Sequence, residues 1–358
     1  LYNTIKDQDE KLGKIYIMTG KDVKETELLN AGDIGALSKL SVTQTGDTLV
    51  AQRNAPVAYN MADIDTPYTY MAYTTVTKGD DDKVAAGFAK LLEEDKTLRL
   101  VNDSENRQSL VYGIGEQQLD IVKSKLEDRY KVKIELAKPK FAYRETLRKK
   151  VEVRGKHKKQ SGGHGQYGDV LMEFEPSGDL TTAYVFEEKV FGGSVPKNYF
   201  PAVEKGIQEC VLKGPMAGYP VVGLKATLTD GSYHPVDSSE MAFKMASTLA
   251  FKEGFLKANP VILEPIAALK VTVPDAFTGD VMGDLNRRRG RVLGMNSNHH
   301  GKQTIEAEIP MSELYGYGTD IRSMTGGLGH FEYEFARYEQ APTDVQNAVI
   351  AAAASEEE

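Results

Sequence analysis

A basic, glycine-rich segment, Lys156–Gly168, places the strongest constraint on how this 358-residue chain can fold. Its glycines Gly163, Gly165 and Gly168 match the G-x-G-x-x-G pattern of dinucleotide-binding loops. That loop needs a strand before it and a helix after it, so that the helix N-terminus meets the pyrophosphate. Here the residues that follow, Asp169–Glu175, alternate between polar and apolar with the period of a strand. Strands on both sides predict the projecting tip of a hairpin, and a dinucleotide site is the weaker alternative.

Composition excludes several classes of protein. No apolar run approaches the roughly 20 residues of a membrane helix, and no signal peptide is recognisable, so we expect a cytoplasmic protein. Cys210 is the only cysteine, which excludes a disulfide framework and a cysteine-based metal cluster. The net charge of -8 argues against nucleic-acid binding over the whole surface. However, residues 144–159 hold eight lysines and arginines against two glutamates, which predicts a local basic patch.

The hydrophobic pattern predicts a multidomain α+β protein. Residues 1–55 consist of short strand-like stretches and turns, which predict a partial β-barrel whose first strands lie upstream. Residues 56–136 and 263–342 each show the β-α-β-β-α-β order of a ferredoxin-like domain. Between them, residues 137–262 predict a different α+β domain. Residues 343–358 predict a C-terminal helix with an acidic tail.

The loop before the last helix of the middle domain is the second candidate site. Asp237 is expected to cap that helix, with Glu240 three residues on completing a capping box. His234 would then lie just outside the helix N-terminus, beside free N–H groups that suit a phosphate or a ribose hydroxyl. The alternative is a turn histidine without a role. The core face of the helix is expected to carry four apolar residues: Met241, Met245, Leu249 and Leu256.

Four arginines around a glycine, within Arg287–Arg291, form a third candidate site. They could grip phosphates with paired hydrogen bonds, or they could simply form a solvated helix end. The nearby Asp280–Gly283 matches a GTPase motif, but the chain contains no phosphate-binding G-x-x-x-x-G-K-[ST] sequence. The pattern includes no convincing acid–base or nucleophile group and no metal-ligand cluster. It therefore predicts a binding protein without catalytic residues.

Several runs resemble signature segments of bacterial elongation factor G. The clearest are Ser161–Gly168, Gly231–Glu240 and Gly283–Gly290. Pro139–Thr146 and Thr45–Leu49 extend the resemblance, in order, over essentially the whole chain. It implies that the partial barrel is the end of the family's second domain and that the next three units are domains three, four and five. The fourth domain would then resemble in fold the second domain of ribosomal protein S5.

The resemblance implies a role in translocation. The family's fourth domain reaches the decoding centre while GTP hydrolysis accompanies the movement of tRNA and mRNA by one codon. The implied partners are the ribosome, with its 16S and 23S rRNA, and the tRNA and mRNA; the factor would act as a monomer. The RNA-binding tip would comprise Lys156, Lys158, Lys159, Gly162, Gly163, His164, Gln166, Tyr167, Ser232, Tyr233, His234, Pro235 and Asp237. The residues facing 23S rRNA would be Arg287, Arg288, Arg289 and Arg291.

Three departures from the family pattern limit what can be carried over. The GTPase domain is absent from this sequence, so GTP and Mg would belong to the full-length protein and this chain would need no cofactor. Gln117 and Gln118 stand where the family usually has leucine and histidine, and Pro235 stands where an acidic residue is common. These differences favour a paralogue. The alternative function is therefore ribosome binding for recycling, rescue or antibiotic protection, although tetracycline-protection relatives lack this tip.

Overall fold

The computed structural model describes these stretches of the chain: 1–51, 57–64, 66–160, 165–298 and 301–357. The chain divides into two units, Leu1–Pro139 and Lys140–Glu358. Each unit combines helices with open β-sheets, which confirms the predicted multidomain α+β class. Within the described stretches, no helix is long and apolar enough to cross a membrane.

The first unit begins with short strands, as predicted for a partial β-barrel. They are β1 (Tyr2–Asn3), β2 (Gln8–Asp9), β3 (Ile15–Thr19), β4 (Asp22–Thr26), β5 (Ala36–Leu37) and β6 (Leu49–Val50). They form two three-stranded antiparallel sheets, ordered β2-β1-β6 and β4-β3-β5. Neither sheet closes into a barrel.

The rest of the first unit has the predicted ferredoxin-like order. Its elements are β7 (Thr69–Thr75), α1 (Asp81–Glu94), β8 (Arg99–Asp103), β9 (Gln108–Gly113), α2 (Glu116–Tyr130) and β10 (Ile134–Ala137). The strands form an antiparallel sheet in the order β10-β7-β9-β8. The helices pack on it through buried Phe88, Leu91, Leu119 and Leu126. The period of the apolar residues therefore predicted this unit well, because each helix buries one face on one sheet.

Gln118, one of the departures from the family pattern, has a clear structural role. Its side-chain amide donates to Asp95 Oδ2 at 2.8 Å and to Thr97 Oγ1 at 2.7 Å. Its carbonyl oxygen accepts the N–H of Ile114 at 2.8 Å. The glutamine thus joins the start of α2 to the segment between α1 and β8, using both its donor and its acceptor.

The second unit opens with a four-stranded sheet that carries two helices on one face. The elements are β11 (Arg144–Thr146), β12 (Val151–Lys159), β13 (Gln166–Pro176), β14 (Tyr184–Glu188), α3 (Phe200–Cys210), β15 (Leu224–Ser232) and α4 (Glu240–Lys257). The sheet order is β12-β13-β15-β14, and only β14 and β15 are parallel. The core between the sheet and the helices includes Met172, Phe174, Val203, Ile207, Phe243 and Phe251.

The remainder of the second unit repeats the ferredoxin-like order. It contains β16 (Val261–Pro274), α5 (Thr278–Arg287), β17 (Arg291–Asn298), β18 (Lys302–Pro310), α6 (Tyr317–Met324), β19 (His330–Gln340) and α7 (Thr343–Glu357). Strands β18 and β19 lie on either side of β16, and β17 lies outside β18. The short β11 also pairs with the start of β16. Helix α7 packs its inner face against Phe141, Tyr143 and Ile262.

The prediction for α4 was wrong in two respects. Its N-cap is Ser239, whose hydroxyl accepts the N–H of Ala242, and not Asp237. The expected core residues Met241, Met245, Leu249 and Leu256 are exposed instead; the buried face consists of Ala242, Phe243, Ala246, Ala250, Phe251, Gly254 and Phe255.

Two glycines in the sheet explain which face of α4 is buried. A Cβ on Gly155 would lie 2.1 Å from the carbonyl oxygen of Ala246, and one on Gly168 would lie 2.3 Å from that of Ala242. The helix therefore lies almost directly on the strands. Only small residues fit at these contacts, while the longer methionine and leucine side chains point away from the sheet.

Candidate nucleic-acid interface

The glycine-rich segment forms the end of a long hairpin made by β12 and β13. The strands pair continuously from Val151 opposite Phe174 to Lys159 opposite Gln166, and β12 is an edge strand. Since Gly155 faces α4, alternation places Lys156 and Lys158 on the opposite, open face of the sheet. Both lysines and Lys159 are exposed. The predicted tip residues Gly162, Gly163 and His164 lie outside the described residues.

The geometry around Gly168 does not fit a dinucleotide-binding loop. Gly168 lies within β13, where it pairs with His157, and the strand continues to Pro176 before any helix. Its lack of a side chain serves the close approach of α4, as the contact with Ala242 shows. The helix N-terminus that would bind a pyrophosphate is missing from this position. The hairpin interpretation of the segment is therefore the correct one.

The second candidate loop, residues 233–239, is bound directly to the end of the hairpin. The carboxylate of Asp237 accepts the N–H of Gly165 at 3.0 Å, and its backbone carbonyl accepts the N–H of Tyr167 at 2.8 Å. The hydroxyl of Ser238 donates to the carbonyl of Tyr167 at 2.9 Å. Asp237 is thus the residue that joins the two loops, in place of the helix-capping role predicted for it.

The ring of His234 is held by the backbone of its own loop. Its Nδ1 lies 3.3 Å from the N–H of Val236 and 3.2 Å from that of Asp237. One carboxylate oxygen of Asp237 lies 3.4 Å from the same nitrogen. Two N–H donors against one acceptor favour the neutral tautomer that carries its proton on Nε2. In that tautomer Nε2–H is the donor of the ring, and the ring is half-exposed.

The hydrogen bonds of His234 lie within its own loop, which precedes Ser239, the N-cap of α4. The N–H of Ala242 in the first turn of α4 is accepted by Ser239 at 3.2 Å. The backbone N–H of His234 donates instead to the hydroxyl of Ser238 at 2.8 Å. Pro235 and Tyr233, on either side of the histidine, are exposed. The loop therefore offers a side-chain donor between two exposed apolar surfaces.

A buried carboxylate that the sequence analysis missed supports the tip from below. Asp169 is 1% exposed and accepts two hydrogen bonds from the guanidinium of Arg154, at 2.8 and 2.7 Å. The hydroxyl of Ser232 donates to it at 2.6 Å and contacts the hydroxyl of Tyr167 at 2.8 Å. Burial by itself would raise the pKa of Asp169, but the hydrogen bonds from Arg154 and Ser232 outweigh it and lower the pKa.

The hairpin register could have revealed this network. It places Lys156 directly opposite Asp169, and Asp169 opposite Ser232 on the next strand. The ammonium group of Lys156 lies 5.5 Å from the centre of the Tyr167 ring. The side-chain carbonyl oxygen of Gln166 accepts a 2.9 Å hydrogen bond from Nε2 of His157. The tip is thus a fixed set of side chains on two strands and one loop, suited to binding.

The four arginines of the third candidate site divide into two pairs. Arg288 donates to Asp284 at 2.8 Å, to the backbone carbonyl of Glu313 at 2.8 Å, and to Asp320. Arg289 forms a two-pronged pair with the buried carboxylate of Glu264, at 2.8 and 3.0 Å. These two guanidinium groups tie α5 to neighbouring elements of the fold.

The other two arginines point outward. The side chains of Arg287 and Arg291 are 76% and 66% exposed, and each forms an ion pair with one carboxylate, Asp284 and Glu308 respectively. Burial would raise the pKa of Asp284, but hydrogen bonds from Arg287 and Arg288 lower it. Arg287 and Arg291, with one carboxylate partner each, are exposed enough to reach a phosphate, whereas the half-buried Arg288 and Arg289 each bind at least two acceptor residues of the fold.

Comparisons with known proteins cover nearly the whole chain. The family model "Elongation Factor G, domain III" matches residues 64–138, "Elongation factor G, domain IV" matches 139–259, and "Elongation factor G C-terminus" matches 261–349. A crystal structure of the protein ttk003000868 from Thermus thermophilus is similar, with a TM-score of 0.74 and 38% sequence identity. The alignment covers 96% of this chain and 51% of that protein. The chain thus spans about half the length of this relative.

Proposed function

The chain belongs to the elongation factor G family, and on this premise we propose that its second unit carries the RNA-binding tip of a factor that moves tRNA and mRNA through the ribosome. In this proposal the whole protein is a GTPase that binds GTP with Mg and works in the cytoplasm. The part described here acts by contact and not by catalysis. It would meet the small-subunit rRNA, the tRNA and the mRNA at the decoding centre.

One observation carries the proposal: the Asp237 acceptors that join the two loops are used internally, while exposed hydrogen-bond donors remain at the tip. The Asp237 carboxylate and carbonyl are taken by Gly165 and Tyr167. Within the described residues, the ammonium groups of Lys158 and Lys159 have no ion-pair partner, and the ring of His234 is half-exposed. RNA offers mainly acceptors at its backbone, as phosphate oxygens and 2′-hydroxyls. A donor-rich, glycine-containing tip fits such a partner without side-chain obstruction.

We further propose that the outward arginines contact 23S rRNA. Arg287 and Arg291 have the exposure needed, whereas Arg288 and Arg289 support them by fixing the turn between α5 and β17. The predicted set of four RNA-facing arginines is thereby reduced to two. Arg287 and Arg291 would contribute to binding affinity, whereas Arg288 and Arg289 would maintain the local structure.

Salt-dependent co-sedimentation with ribosomes tests the binding part of the proposal. Each lost phosphate contact should reduce the slope of log affinity against log salt by roughly 0.7–0.9. Replacing Lys156, Lys158 and Lys159 by glutamine should therefore lower the slope by roughly two units. A matched control replaces three exposed lysines of the first unit: Lys11, Lys21 and Lys24. Equal effects of the two triple variants would contradict a specific basic tip.

A single-turnover assay with the full-length factor tests translocation. His234→Ala should slow codon movement much more than GTP hydrolysis, since the ring presents a donor at the tip. His330→Ala, in an exposed position of the last sheet, serves as the control. Equal loss of both rates in the His234 variant would refute the division of labour. A full-length factor that separates ribosomal subunits without accelerating codon movement would support the recycling alternative instead.

A further inference from the structure

A third loop, residues 189–196 between β14 and α3, carries the most exposed aromatic side chain of the described residues. Phe191 is 95% exposed. The two residues after it, Gly192 and Gly193, have φ values of 70° and 72°, in the left-handed region that favours glycine. These glycines turn the chain sharply and leave the phenyl ring on the outside. A ring at this exposure contributes almost nothing to the core.

This loop lies at the same end of the sheet as the tip. The N–H of Lys189 donates to the carbonyl of Leu228 on β15 at 2.8 Å, which continues the strand pairing toward the tip. Val195 is buried, and its side chain lies 2.5 Å from where a Cβ on Gly231 would be. Both ends of the loop are therefore fixed beside the last residues of β15, next to the loop that contains His234.

The segment after this loop contacts the His234 loop directly. The hydroxyl of Tyr199 donates to the carbonyl of Ser238 at 3.3 Å. The Tyr199 ring stacks on Phe243 of α4 with a centroid distance of 4.5 Å. Direct contacts thus connect the third loop, the end of the hairpin and the loop of His234. Phe191 is the aromatic residue of the third loop that remains exposed to solvent.

The charge of the third loop distinguishes between possible partners. Residues 189–199 contain two lysines, Lys189 and Lys197, and no aspartate or glutamate, although Glu187 and Glu188 precede them. Lys189 forms an ion pair with Glu187 at 3.4 Å, so within the described residues Lys197 is the unpaired lysine of this loop segment. An exposed aromatic ring with an unpaired lysine in the same loop segment is a combination that proteins use to hold single-stranded nucleic acid, because every base has a face on which a ring can stack. An apolar pocket on a protein partner would not need a lysine in the same segment.

From these observations we infer that Phe191 stacks on an unpaired base of RNA and forms, with Lys197, a third RNA contact of the tip. The inference rests on the proposed RNA-binding function. The ring supplies a flat surface that accepts any base, and Lys197 attracts a neighbouring phosphate. An unpaired stretch of RNA would then lie beside the third loop.

The chain has no tryptophan, which permits a direct test. Phe191→Trp makes the loop residue the sole tryptophan, and its fluorescence should be quenched when small ribosomal subunits are added. Leu212→Trp is the matched control: Leu212 is 69% exposed and lies beyond the other end of α3. Quenching of the first variant without quenching of the control supports stacking. No quenching of the bound Phe191→Trp chain overturns it.

Affinity and cross-linking complete the test. Phe191→Ala should fold normally but bind small subunits roughly tenfold more weakly, while Phe191→Trp should bind as well as the unmodified chain. A p-benzoylphenylalanine at position 191 should cross-link to RNA; a cross-link to ribosomal protein alone overturns the inference and favours a protein partner. If the unmodified chain binds and Phe191→Ala binds with equal affinity, only the stacking role of Phe191 is refuted. Failure of the unmodified chain to bind refutes the proposed function and this inference with it.

Discussion

Removal of the Asp237 side chain should release one loop of the tip while leaving the rest in place. In Asp237→Ala the N–H of Gly165 loses the carboxylate that accepts it at 3.0 Å. The N–H of Tyr167 keeps its partner, because that partner is the backbone carbonyl of residue 237. The two amides therefore provide an internal comparison within one variant.

The size of the effect follows from the geometry. A hydrogen bond to a charged acceptor stabilises a protein by about 1.5–3 kcal/mol when it is buried. The Asp237 side chain is 31% exposed, so solvent screening reduces this to about 1–1.5 kcal/mol. Since 1.4 kcal/mol corresponds to a factor of ten, amide hydrogen exchange at Gly165 should become roughly five- to tenfold faster.

Hydrogen exchange measured by NMR gives both rates in the same sample. Asp237→Asn retains an acceptor oxygen and should exchange at close to the original rate. Asp179→Ala is the matched control, since Asp179 accepts the N–H of Thr181 within its own surface loop. Unchanged exchange at Gly165 in Asp237→Ala would refute the role of the carboxylate. An equal increase at Gly165 and Tyr167 would show general unfolding of the tip instead.

Three further predictions concern the ring, the packing and the pH dependence. For His234, long-range proton–nitrogen NMR spectra at neutral pH should show an unprotonated Nδ1; a protonated Nδ1 would contradict the geometry. Gly168→Ala should lower the free energy of unfolding by about 2 kcal/mol or more, because its Cβ would meet the backbone of α4 at 2.3 Å. Gly283→Ala, whose Cβ would have no atom within 4 Å, should be neutral or slightly stabilising in the same denaturation assay. Hydrogen bonds from Arg337 and Arg291 lower the pKa of Glu308 to about 2, so its contribution to stability should be present above about pH 4.5 and disappear as the pH falls toward 2. The difference in melting temperature between the unmodified chain and Glu308→Gln should shrink over that range, and a constant difference would argue against the ion pairs.

The sequence predicted those parts of the fold that depend on local periodicity. Strands and helices in both ferredoxin-like regions follow from apolar spacing, because each element buries one face on its own sheet. The hairpin at the tip was predictable for the same reason: Val151 and Val153 alternate with polar residues before the glycines, and the pattern resumes at Val170 after them. These features require no knowledge of distant contacts.

Tertiary contacts decided the features that the sequence did not predict. Helix α4 carries apolar residues all round, so periodicity could not show which face is buried, and the glycine at 155 made the choice. Asp237 looked like a helix cap, but its acceptor is used by Gly165, which lies 72 residues earlier in the chain. Asp169 was missed because its pairing with Arg154 across the hairpin can be inferred only once the strand register is known. Distant partners such as Gly165 and Asp237 leave no local signal.

The count of basic residues is therefore a poor guide to which part of this acidic protein can attract phosphate. Arg289 and Arg154 belong to basic segments, yet both form two-pronged pairs with carboxylates of the fold. Within the described residues, Lys158 and Lys159 have no such partner, and their strand ends beside the loop of His234. A charge that is already paired must give up its partner before it can bind a phosphate, whereas an unpaired one attracts phosphate at no such cost. Pairing within the fold therefore distinguishes Lys158 and Lys159 from the paired arginines as groups that can attract phosphate, despite a net charge of -8.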